Sequence, residues 1–359
     1  MQEKKLRGLA VILPQFHPIP ENDKWWGKGF TEWTNVTKAQ PRFSGHYQPH
    51  LPADLGFYDL RLEQSREEQA NLAEEHSIYG FCIHHYWFNG KQLLETPVNE
   101  MLRLGKPDFP FMLCWANENW TRRWDGLDQE VLMKQDYSAE DHRAHAKHLC
   151  ETAFKDKRYI TIDGKPFFLF FNTHIIPDLK ESIEIWRDEV KKHGFPDIYL
   201  AGVKTYQDAI KDPEGVGFDA VVEWQPDWGN LNINPNFWQR VKQKLGFRIS
   251  YFKDDYASVA ERMLAKKDPD TKHYHCIMPA WDNCARKKQR AFVIDGSTPA
   301  LYKNWLQRLC DKFTPASKEE NFVFINAMNE WAEGNHLEPD QKWGKQYLQA
   351  TKEVFDQYK

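Results

Sequence analysis

Residues Phe322–Gly334, FVFINAMNEWAEG, contain the pattern that decides the fold. An apolar run, Phe322–Ala327, is followed at once by the polar residues Asn329, Glu330 and Glu333. A continuous apolar run of this length is typical of a parallel strand that is covered on both faces. Polar residues at the carboxyl end of such a strand are typical of an active site in a barrel enzyme. The same order of residues recurs along the chain.

Seven further apolar runs precede this one, with amphipathic stretches between them. The eight predicted strands are Leu9–Leu13, Gly80–Trp87, Phe109–Trp115, Pro166–Asn172, Ile198–Val203, Ala220–Trp224, His275–Trp281 and Phe322–Ala327. The predicted helices are Leu60–His76, a shorter one around Val98–Leu104, Ala139–Phe154, Pro177–His193, Tyr256–Lys266, Pro299–Thr314 and Trp343–Tyr358. Eight such repeats predict an α/β fold, a single (β/α)8 TIM barrel that spans residues 1–359 as one catalytic domain.

Two connections are much longer than the others. They follow the first and sixth strands, at Pro18–Asp59 and Gln225–Tyr251, and we expect both to be ordered loops on the top face of the barrel. The turn after the first strand, Pro14–Pro18, has no glycine. Dinucleotide-binding sheets and P-loops have a glycine-rich turn at this point. The sequence therefore favours the barrel over a nucleotide-binding doubly wound sheet.

The composition is rich in aromatic residues and almost balanced in charge. The chain has 15 Trp, 14 Tyr and 23 Phe, and its 48 basic and 52 acidic residues give a net charge of −4. No basic field that would attract nucleic acid or an anionic membrane is expected. Indole and phenol rings combine an apolar face with a polar edge, which suits a sugar ring. We expect an oligosaccharide or polysaccharide partner, no nucleic acid and no integral membrane contact, with the oligomeric state left open.

The cysteines and the amino terminus indicate the compartment. The six cysteines form no CxxC pair, so a thiolate zinc site is not expected, and scattered cysteines suit a reducing environment. The first residues, MQEKKLRGLAVILPQF, contain only a short apolar run that ends at Pro14, unlike a signal peptide. We therefore expect a cytoplasmic protein, and no cofactor is expected.

Candidate binding residues collect at one end of the predicted strands. In a (β/α)8 barrel the active site lies at the carboxyl ends of the strands. Trp together with Asn, Gln, Asp, Glu and His is a composition typical of a sugar site, because rings stack on indole while hydroxyls bind planar polar groups. The predicted substrate-binding residues are Gln15, Trp26, Glu32, His50, His85, Tyr86, Trp87, Trp115, Asn117, Glu118, Trp120, Asn172, Glu223, Gln225, Trp281, Asp282 and Asn329.

Two histidine pairs were weighed as metal ligands. His84 and His85 are adjacent on a predicted strand, so their side chains point to opposite faces and cannot share one ion. We expect one of them to line the site and the other to pack outside. His46 and His50 are four residues apart, but Pro49 argues against a helix that would place both on one face. No metal site is expected.

Glycoside hydrolysis needs two carboxyl groups, one of which gives a proton to the leaving oxygen. Glu330 and Glu333 follow the eighth strand and are three residues apart, so both can face one substrate. On position alone, a structural role for this pair is an equally good interpretation. Glu118 is a rival carboxylate at the end of the third strand, with a salt bridge to a nearby arginine as its alternative role. Glu223 is open to the same interpretations.

The closing segment resembles a known family. Residues Phe324–Pro339, FINAMNEWAEGNHLEP, resemble the end of glycoside hydrolase family 99, whose pattern is N-E-W-x-E-G-x-x-x-E-P. The whole chain resembles the WbsX-like proteins of the family-99-like group, found among bacterial surface-polysaccharide genes. This resemblance is carried by LPQFHPIPENDKWWGKGFTEWTNV, HYQPHLPADLGFYDLR, GFCIHHYWFNGK and CWANENWTRRWDG. Characterised family-99 enzymes are similar only distantly, and the variable position of the motif, His in those enzymes, is Ala332.

The resemblance implies a (β/α)8 barrel, endo-α-mannosidase or endo-α-1,2-mannanase activity, no metal, and a retaining mechanism. In that mechanism Glu330 takes the proton of the sugar's own 2-hydroxyl, a 1,2-anhydro sugar forms, and Glu333 is the general acid and then the base. α-Mannosides and α-rhamnosides both meet its stereochemical demand, because their 2-hydroxyl is axial and trans to the leaving group. We expect Glu333 to be the less solvated glutamate, because desolvation favours the protonated acid.

The implied function is therefore a retaining glycoside hydrolase that acts on α-mannoside- or α-rhamnoside-type linkages of a polysaccharide. One alternative is a glycosyltransferase of bacterial surface-polysaccharide, or lipopolysaccharide O-antigen, biosynthesis, because WbsX-like proteins are often described in this way. Such an enzyme usually needs a diphosphate site with a metal-binding carboxylate pair or basic groups, and little basic lining is predicted. The second alternative is a non-catalytic glycan-binding barrel.

Overall fold

Eight parallel strands form a closed barrel in the computed structural model, which describes residues 5–122, 127–204, 212–233 and 249–359. Each strand hydrogen-bonds to the next along the chain, and the last strand pairs with the first, with Leu9 opposite Phe324. The predicted (β/α)8 barrel is confirmed. Its strands are β1 Arg7–Ile12, β2 Ile78–Phe88, β3 Phe111–Trp115, β4 Lys165–Phe170, β5 Tyr199–Lys204, β6 Ala220–Glu223, β7 His273–Ile277 and β8 Phe322–Ile325.

All eight predicted strands overlap an observed one, and the largest boundary difference is at β7. The predicted strand His275–Trp281 begins two residues too late and extends beyond the observed end at Ile277. Pro279 lies just beyond that end and cannot donate a ladder hydrogen bond. Trp281–Asp282 instead forms a separate short strand, which pairs antiparallel with Ala291–Asp295.

A helix follows each barrel strand and covers the outside of the barrel. Apolar side chains on the inner faces of these helices pack against the strands, and Trp186 and Trp305 are fully buried there. The helices are α1 Glu63–Glu75, α2 Thr96–Leu104, α3 Ala139–Glu151, α4 Leu179–Lys192, α5 Pro213–Val216, α6 Tyr256–Ala265, α7 Pro299–Lys312 and α8 Gln346–Phe355. None of the helices in the described residues is long and apolar enough to cross a lipid bilayer.

Aromatic rings fill the amino-terminal end of the barrel. The ring of Phe167 lies 5.1 Å from that of Tyr199, 5.5 Å from that of Tyr274 and 5.8 Å from that of Phe322. All four residues are buried. This plug closes the floor of the barrel, so an internal site can open only at the carboxyl ends of the strands.

The loop after β1 is ordered and crosses the top of the barrel. It contains two short helices, Pro20–Trp26 and Glu32–Val36. Much of the predicted loop after β6, Gln225–Tyr251, lies outside the described residues, which end at 233 and resume at 249. The described parts of both loops border the candidate site.

Candidate active site

A cleft of ≈ 660 Å³ opens at the carboxyl ends of the barrel strands. Residues that belong to or follow seven of the eight strands line it, and those that directly follow β5 lie outside the described residues. The predicted site residues that the structure brings together here are Gln15, Trp26, Tyr86, Glu118, Trp120, Asn172, Trp281, Glu330 and Glu333. The cleft is also lined by several residues that the sequence analysis did not select, among them His84, Trp224, Trp228, Asn283, Arg286, Lys287 and Asn326.

Three predicted binding residues point to the outside of the barrel wall. His85 places Nε2 2.8 Å from Nε2 of His145, and Trp87 stacks on the same histidine ring. Trp115 is fully buried and packs against Trp186. Side chains alternate between the two faces of a strand, and these three lie on the face that the helices cover. The aromatic content of a strand end did not distinguish core residues from cleft residues.

The alternation along β2 selects the other histidine of its pair. His84 lines the cleft, as does Tyr86, whereas His85 and Trp87 lie behind the wall. The expectation that one histidine faces the site and the other packs outside is thus met, but the choice of His85 as the binding residue is not supported by its position. Nε2 of His84 lies 3.9 Å from Oε1 of Glu330, and burial lowers the pKa of His84.

Three other predicted residues support the cleft from behind. Asn117 donates from Nδ2 to the backbone carbonyl of Asn172 and accepts that residue's N–H at Oδ1, both at 2.7 Å. Asn329 holds Leu13 in the same two-sided way, at 2.7 and 3.0 Å. The backbone carbonyl of Gln225 accepts a hydrogen bond from a cleft-lining asparagine at 2.7 Å. These bonds fix backbone positions, and Asn117, Asn329 and Gln225 are not themselves in the cleft lining.

The remaining predicted residues lie outside the cleft lining and are engaged by other side chains. Glu223 is buried with Lys266 at 2.9 Å and His275 at 3.6 Å, and these contacts lower its pKa to about 2 against the opposing effect of burial. Asp282 accepts a hydrogen bond from His46 at 2.7 Å. His50 and Asp282 line a separate small cavity, and Glu32 is fully buried beneath the cleft.

Arg286 joins the two candidate catalytic carboxylates. Its Nη1 lies 2.6 Å from Oε1 of Glu333, and its Nη2 lies 2.7 Å from Oε2 of Glu330. Its Nε donates to Glu32 at 3.0 Å, so one guanidinium binds three carboxylates. Burial alone would lower the pKa of Arg286, but the attraction of the three glutamates raises it well above its ordinary value. The planar fork of donors in arginine makes this arrangement possible.

Burial raises the pKa of two carboxyl groups in this cluster. The pKa of Glu333 is raised to about 7, chiefly by desolvation and also by the charges of Glu330 and Glu32, while Arg286 opposes the rise. The pKa of Glu32 is raised as well, first by burial. The expected order of exposure is wrong, because the side chain of Glu333 is 20% exposed and that of Glu330 is 8% exposed. Glu333 faces the open cleft, whereas Glu330 lies deeper.

A tight turn holds the two glutamates in place. Asn329 and Glu330 pair antiparallel with Asn335 and His336, and Trp331 between them is buried. The turn closes at Gly334, which has a φ of +56°. A Cβ atom at this position would lie 2.9 Å from the Cβ of Asp282, so the position requires glycine.

Indole rings form much of the apolar wall of the cleft. The rings of Trp228 and Trp281 meet edge to face at 5.7 Å, and those of Tyr86 and Trp120 at 5.5 Å. Trp224 lies between these pairs in the chain and also lines the cleft. The sequence signal for Trp224 and Trp228 was their position directly after the sixth strand.

Glu118 is the third carboxylate of the cleft lining. Asn172 donates from Nδ2 to its Oε1 at 2.8 Å, so the carboxylate is held at the ends of β3 and β4. The side chains of Arg122 and Arg123, its expected alternative partners, lie outside the part of the chain that the structure describes. Glu118 therefore stays a candidate for binding hydroxyls or for proton transfer.

The chain is similar to a family of proteins along nearly its whole length. A family model described as "Glycosyltransferase WbsX" matches residues 8–351. The uncharacterized protein WxcX of Xanthomonas campestris pv. campestris (strain B100) is 41% identical over 350 residues, which cover 96% of this chain and 49% of that protein. The chain thus spans about half the length of the curated relatives it matches.

Solved structures of glycoside hydrolases share the fold. A "glycoside hydrolase-like protein" superposes with a TM-score of 0.60 at 14% identity, covering 98% of this chain and 94% of its own. The GH99 endo-alpha-mannosidase from Bacteroides thetaiotaomicron superposes with a TM-score of 0.58 at 12% identity, covering 98% and 97%. Similarity at this level of identity establishes a common barrel architecture.

Proposed function

We propose that this chain, which belongs to the WbsX family, is a retaining glycoside hydrolase that acts on α-mannoside- or α-rhamnoside-type linkages of a polysaccharide. The proposal depends chiefly on one observation: Glu330 and Glu333 bind the same guanidinium inside a cleft with indole walls. Two carboxyl groups held this close can act on one sugar ring. The barrel that the chain shares with a GH99 enzyme supports the same assignment.

In the first step the sugar's own 2-hydroxyl is the nucleophile. Glu330 takes the proton of this hydroxyl, and its oxygen attacks C1 of the same ring. The bond between C1 and the leaving oxygen breaks, and that oxygen receives the proton of Glu333. The raised pKa of Glu333 suits this role, because a carboxyl group with a pKa of about 7 holds its proton near neutral pH.

In the second step the 1,2-anhydro sugar is opened. Glu333, now a carboxylate, takes a proton from water, and the water oxygen attacks C1. The bond between C1 and the 2-oxygen breaks, and the 2-oxygen recovers its proton from Glu330. Two inversions at C1 retain the anomeric configuration, and both glutamates return to their starting protonation states. An ion pair with Arg286 suits Glu330, which has to begin each turnover as a carboxylate.

The alternative function, sugar transfer from a nucleotide donor, requires a diphosphate site. Arg286 is bound to three carboxylates, which leaves Lys287 as the other basic residue of the cleft lining among the described residues. The motif Asp268-Pro269-Asp270 has two carboxylates at a spacing used for metal binding in sugar-nucleotide transferases. It precedes β7 and lies at the opposite end of the strand from the cleft. Lys312 pairs with Asp268 at 2.8 Å. These contacts favour hydrolysis over transfer.

An activity screen with stereochemical analysis tests the proposal. The purified chain is incubated with α-mannans and rhamnose-containing polysaccharides, and separately with sugar nucleotides and the same glycans as acceptors. We expect cleavage of a glycan, with the retained anomer appearing first in the NMR spectrum, and no cleavage of a 2-deoxy analogue. Transfer from a sugar nucleotide without cleavage would establish the transferase instead. Glycan binding without turnover of any substrate would indicate a binding barrel.

A further inference from the structure

A second group of polar side chains lies in a separate cavity of ≈ 70 Å³, beside the tight turn that carries Glu330 and Glu333. His50 comes from the loop after β1, and His336 and Asp340 come from the segment after β8. Nδ1 of His50 lies 2.9 Å from Nε2 of His336. The ligand-capable atoms of the three residues all lie within 4.8 Å of one another. None of these residues takes part in the proposed cleavage reaction.

The hydrogen bond at Nδ1 of His336 directs the lone pair of its Nε2 towards His50. Nδ1 of His336 lies 2.9 Å from the backbone carbonyl of Glu338, which has no proton to give. The neutral ring therefore donates from Nδ1 and presents the lone pair of Nε2 to the cavity. Histidines that bind metal ions are commonly oriented in this way by a carbonyl behind the ring.

The carboxylate of Asp340 is fixed before any ligand binds. Its Oδ1 accepts hydrogen bonds from the backbone N–H groups of Lys342 and Trp343, at 3.0 and 2.6 Å. The side chain is buried and borders the same cavity as the two histidines. Two imidazoles and one carboxylate form a ligand set that first-row divalent metal ions prefer.

Backbone hydrogen bonds hold the two ligand-bearing segments together. The N–H of Gln341 donates to the carbonyl of Leu51 at 3.0 Å, and the N–H of Ala53 donates to the carbonyl of Pro339 at 2.9 Å. These bonds lie directly beside His50 and Asp340 in the chain. The site is therefore assembled from both segments without an ion, which reduces the conformational cost of binding one.

We propose that His50, His336 and Asp340 bind a divalent transition-metal ion of the zinc type, with water completing its coordination. The ion would link the loop after β1 to the segment after β8, which carries the proposed catalytic glutamates. His336 pairs with Asn329 across the turn and stacks on Trp331 at 3.8 Å, so fixing its ring also fixes the turn. The role of the ion is structural and does not depend on which reaction the cleft performs.

A rival group among the described residues is less suited to a metal ion. It consists of Glu223, Asp268, His273 and His275. Lysine side chains already neutralise its carboxylates, since Lys266 lies 2.9 Å from Glu223 and a second lysine contacts Asp268. A metal ion would have to displace both ammonium groups. This group supplies a matched control for the test.

Metal binding by untagged protein tests the inference. Protein treated with a chelator is titrated with Zn²⁺ by calorimetry, and its metal content is measured after gel filtration. We expect one Zn²⁺ per chain and an unfolding midpoint that rises with Zn²⁺ concentration. His50→Gln and Asp340→Asn should each weaken binding by more than the roughly 10–100-fold that loss of a supporting partner costs. His273→Gln, in the rival group, should leave the affinity unchanged.

Three results would overturn the inference: no stoichiometric Zn²⁺ binding by the parent protein, an affinity in both ligand variants equal to that of the parent, or loss of binding only on His273→Gln. Co²⁺ provides a measurement that needs no variant, because its visible absorption reports nitrogen and oxygen ligands in the parent protein. Absence of that absorption at saturating Co²⁺ would equally count against the site. Metal content is measured without any glycan, so failure here is distinct from failure of the proposed hydrolase function.

Discussion

Nη1 of Arg286 lies 2.6 Å from Oε1 of Glu333. The proposed general acid therefore has a counter-ion within hydrogen-bonding distance and a pKa that burial nevertheless raises to about 7. An arginine in this position limits the rise in pKa and aligns the carboxyl group with the cleft.

Replacing either of the proposed catalytic glutamates, Glu330 or Glu333, should strongly reduce turnover and preserve the fold. Glu330→Gln and Glu333→Gln keep shape and hydrogen-bonding capacity but cannot exchange a proton, so kcat/KM should fall by about 10²–10⁴-fold. Glu118→Gln is the matched control and should cost less, because Glu118 binds Asn172 and is not part of the Arg286 cluster. Near-normal turnover in Glu330→Gln would transfer its role to Glu118. Circular dichroism checks that each variant is folded.

The stability of the protein should fall with rising pH because of Glu333. Its pKa is raised from an ordinary value of 4.5 to about 7 in the folded state, so the folded state binds the proton more tightly than the unfolded state between these pH values. Stability is then lost as pH rises from about 4.5 to about 7. Glu333→Gln removes this loss, so the variant should gain stability relative to the parent between pH 5 and pH 8. Urea unfolding at both pH values measures the change, which is limited to a few kcal/mol since one pKa unit is about 1.4 kcal/mol. A variant that is less stable than the parent over this pH range would contradict the raised pKa of Glu333.

Removing the guanidinium should destabilise the protein strongly. Arg286→Met leaves three buried carboxyl groups without their counter-ion, and loss of one partner of a buried ion pair typically costs about 3–5 kcal/mol. The loss should be smaller below pH 5, where the carboxyl groups take up protons. Arg103→Met is the control, since Arg103 pairs with Glu100 on the exposed surface and such pairs contribute little to stability. Equal effects of the two substitutions in urea unfolding would argue against a buried charge cluster.

Tryptophans that line the cleft should contribute to glycan binding, whereas tryptophans buried between the barrel strands and the helices should contribute to stability. In a Glu333→Gln background, Trp120→Ala and Trp228→Ala should each weaken glycan binding by about 1–3 kcal/mol, measured by calorimetry. Trp87→Ala should instead destabilise the fold by about 3–5 kcal/mol, because its ring is buried behind the barrel wall. Unchanged glycan affinity in both cleft variants would remove the stacking role assigned to these rings.

Of the two adjacent histidines on β2, His84 should contribute to activity and His85 to stability. His84→Gln should lower kcat/KM by up to about tenfold, the value of a typical hydrogen bond to substrate, because this ring lines the cleft with its Nε2 3.9 Å from Oε1 of Glu330. His85→Gln should leave kcat/KM near normal and lower the unfolding midpoint, since His85 contacts His145 outside the wall. The reverse pattern would mean that β2 has a different register from the one described.

The barrel could be predicted from the sequence because its signals are local. Each strand is a short apolar run, and each is followed by polar residues, so neither strand order nor long-range contacts had to be known. The position of Trp281 shows where this reasoning fails. Its apolar run continues past Pro279, and only the pairing with the strand Ala291–Asp295 reveals that the barrel strand has already ended.

The candidate site could be predicted only in part, because strand direction and distant contacts decide which side chains meet. Choosing His85 over His84 was a choice between two faces of one strand, which the sequence does not distinguish. Arg286 lies 44 residues from Glu330 in the chain, and no local pattern connects them. Its one signal is that it comes a few residues after Asp282, at the end of the seventh predicted strand.

Leu13 and Asn329 are in contact although they lie 316 residues apart. During synthesis this contact can form only after residue 329 has been added. Ribosomes add about 5–20 residues per second, so the two sides of this contact are synthesised roughly 15–60 s apart. Throughout that interval β1 has no partner on the side that β8 will occupy, and an unpaired strand edge is prone to join other chains. The strand that covers this edge is also the one that delivers both glutamates. Protection of the nascent chain and acquisition of the acid–base pair are therefore one late event.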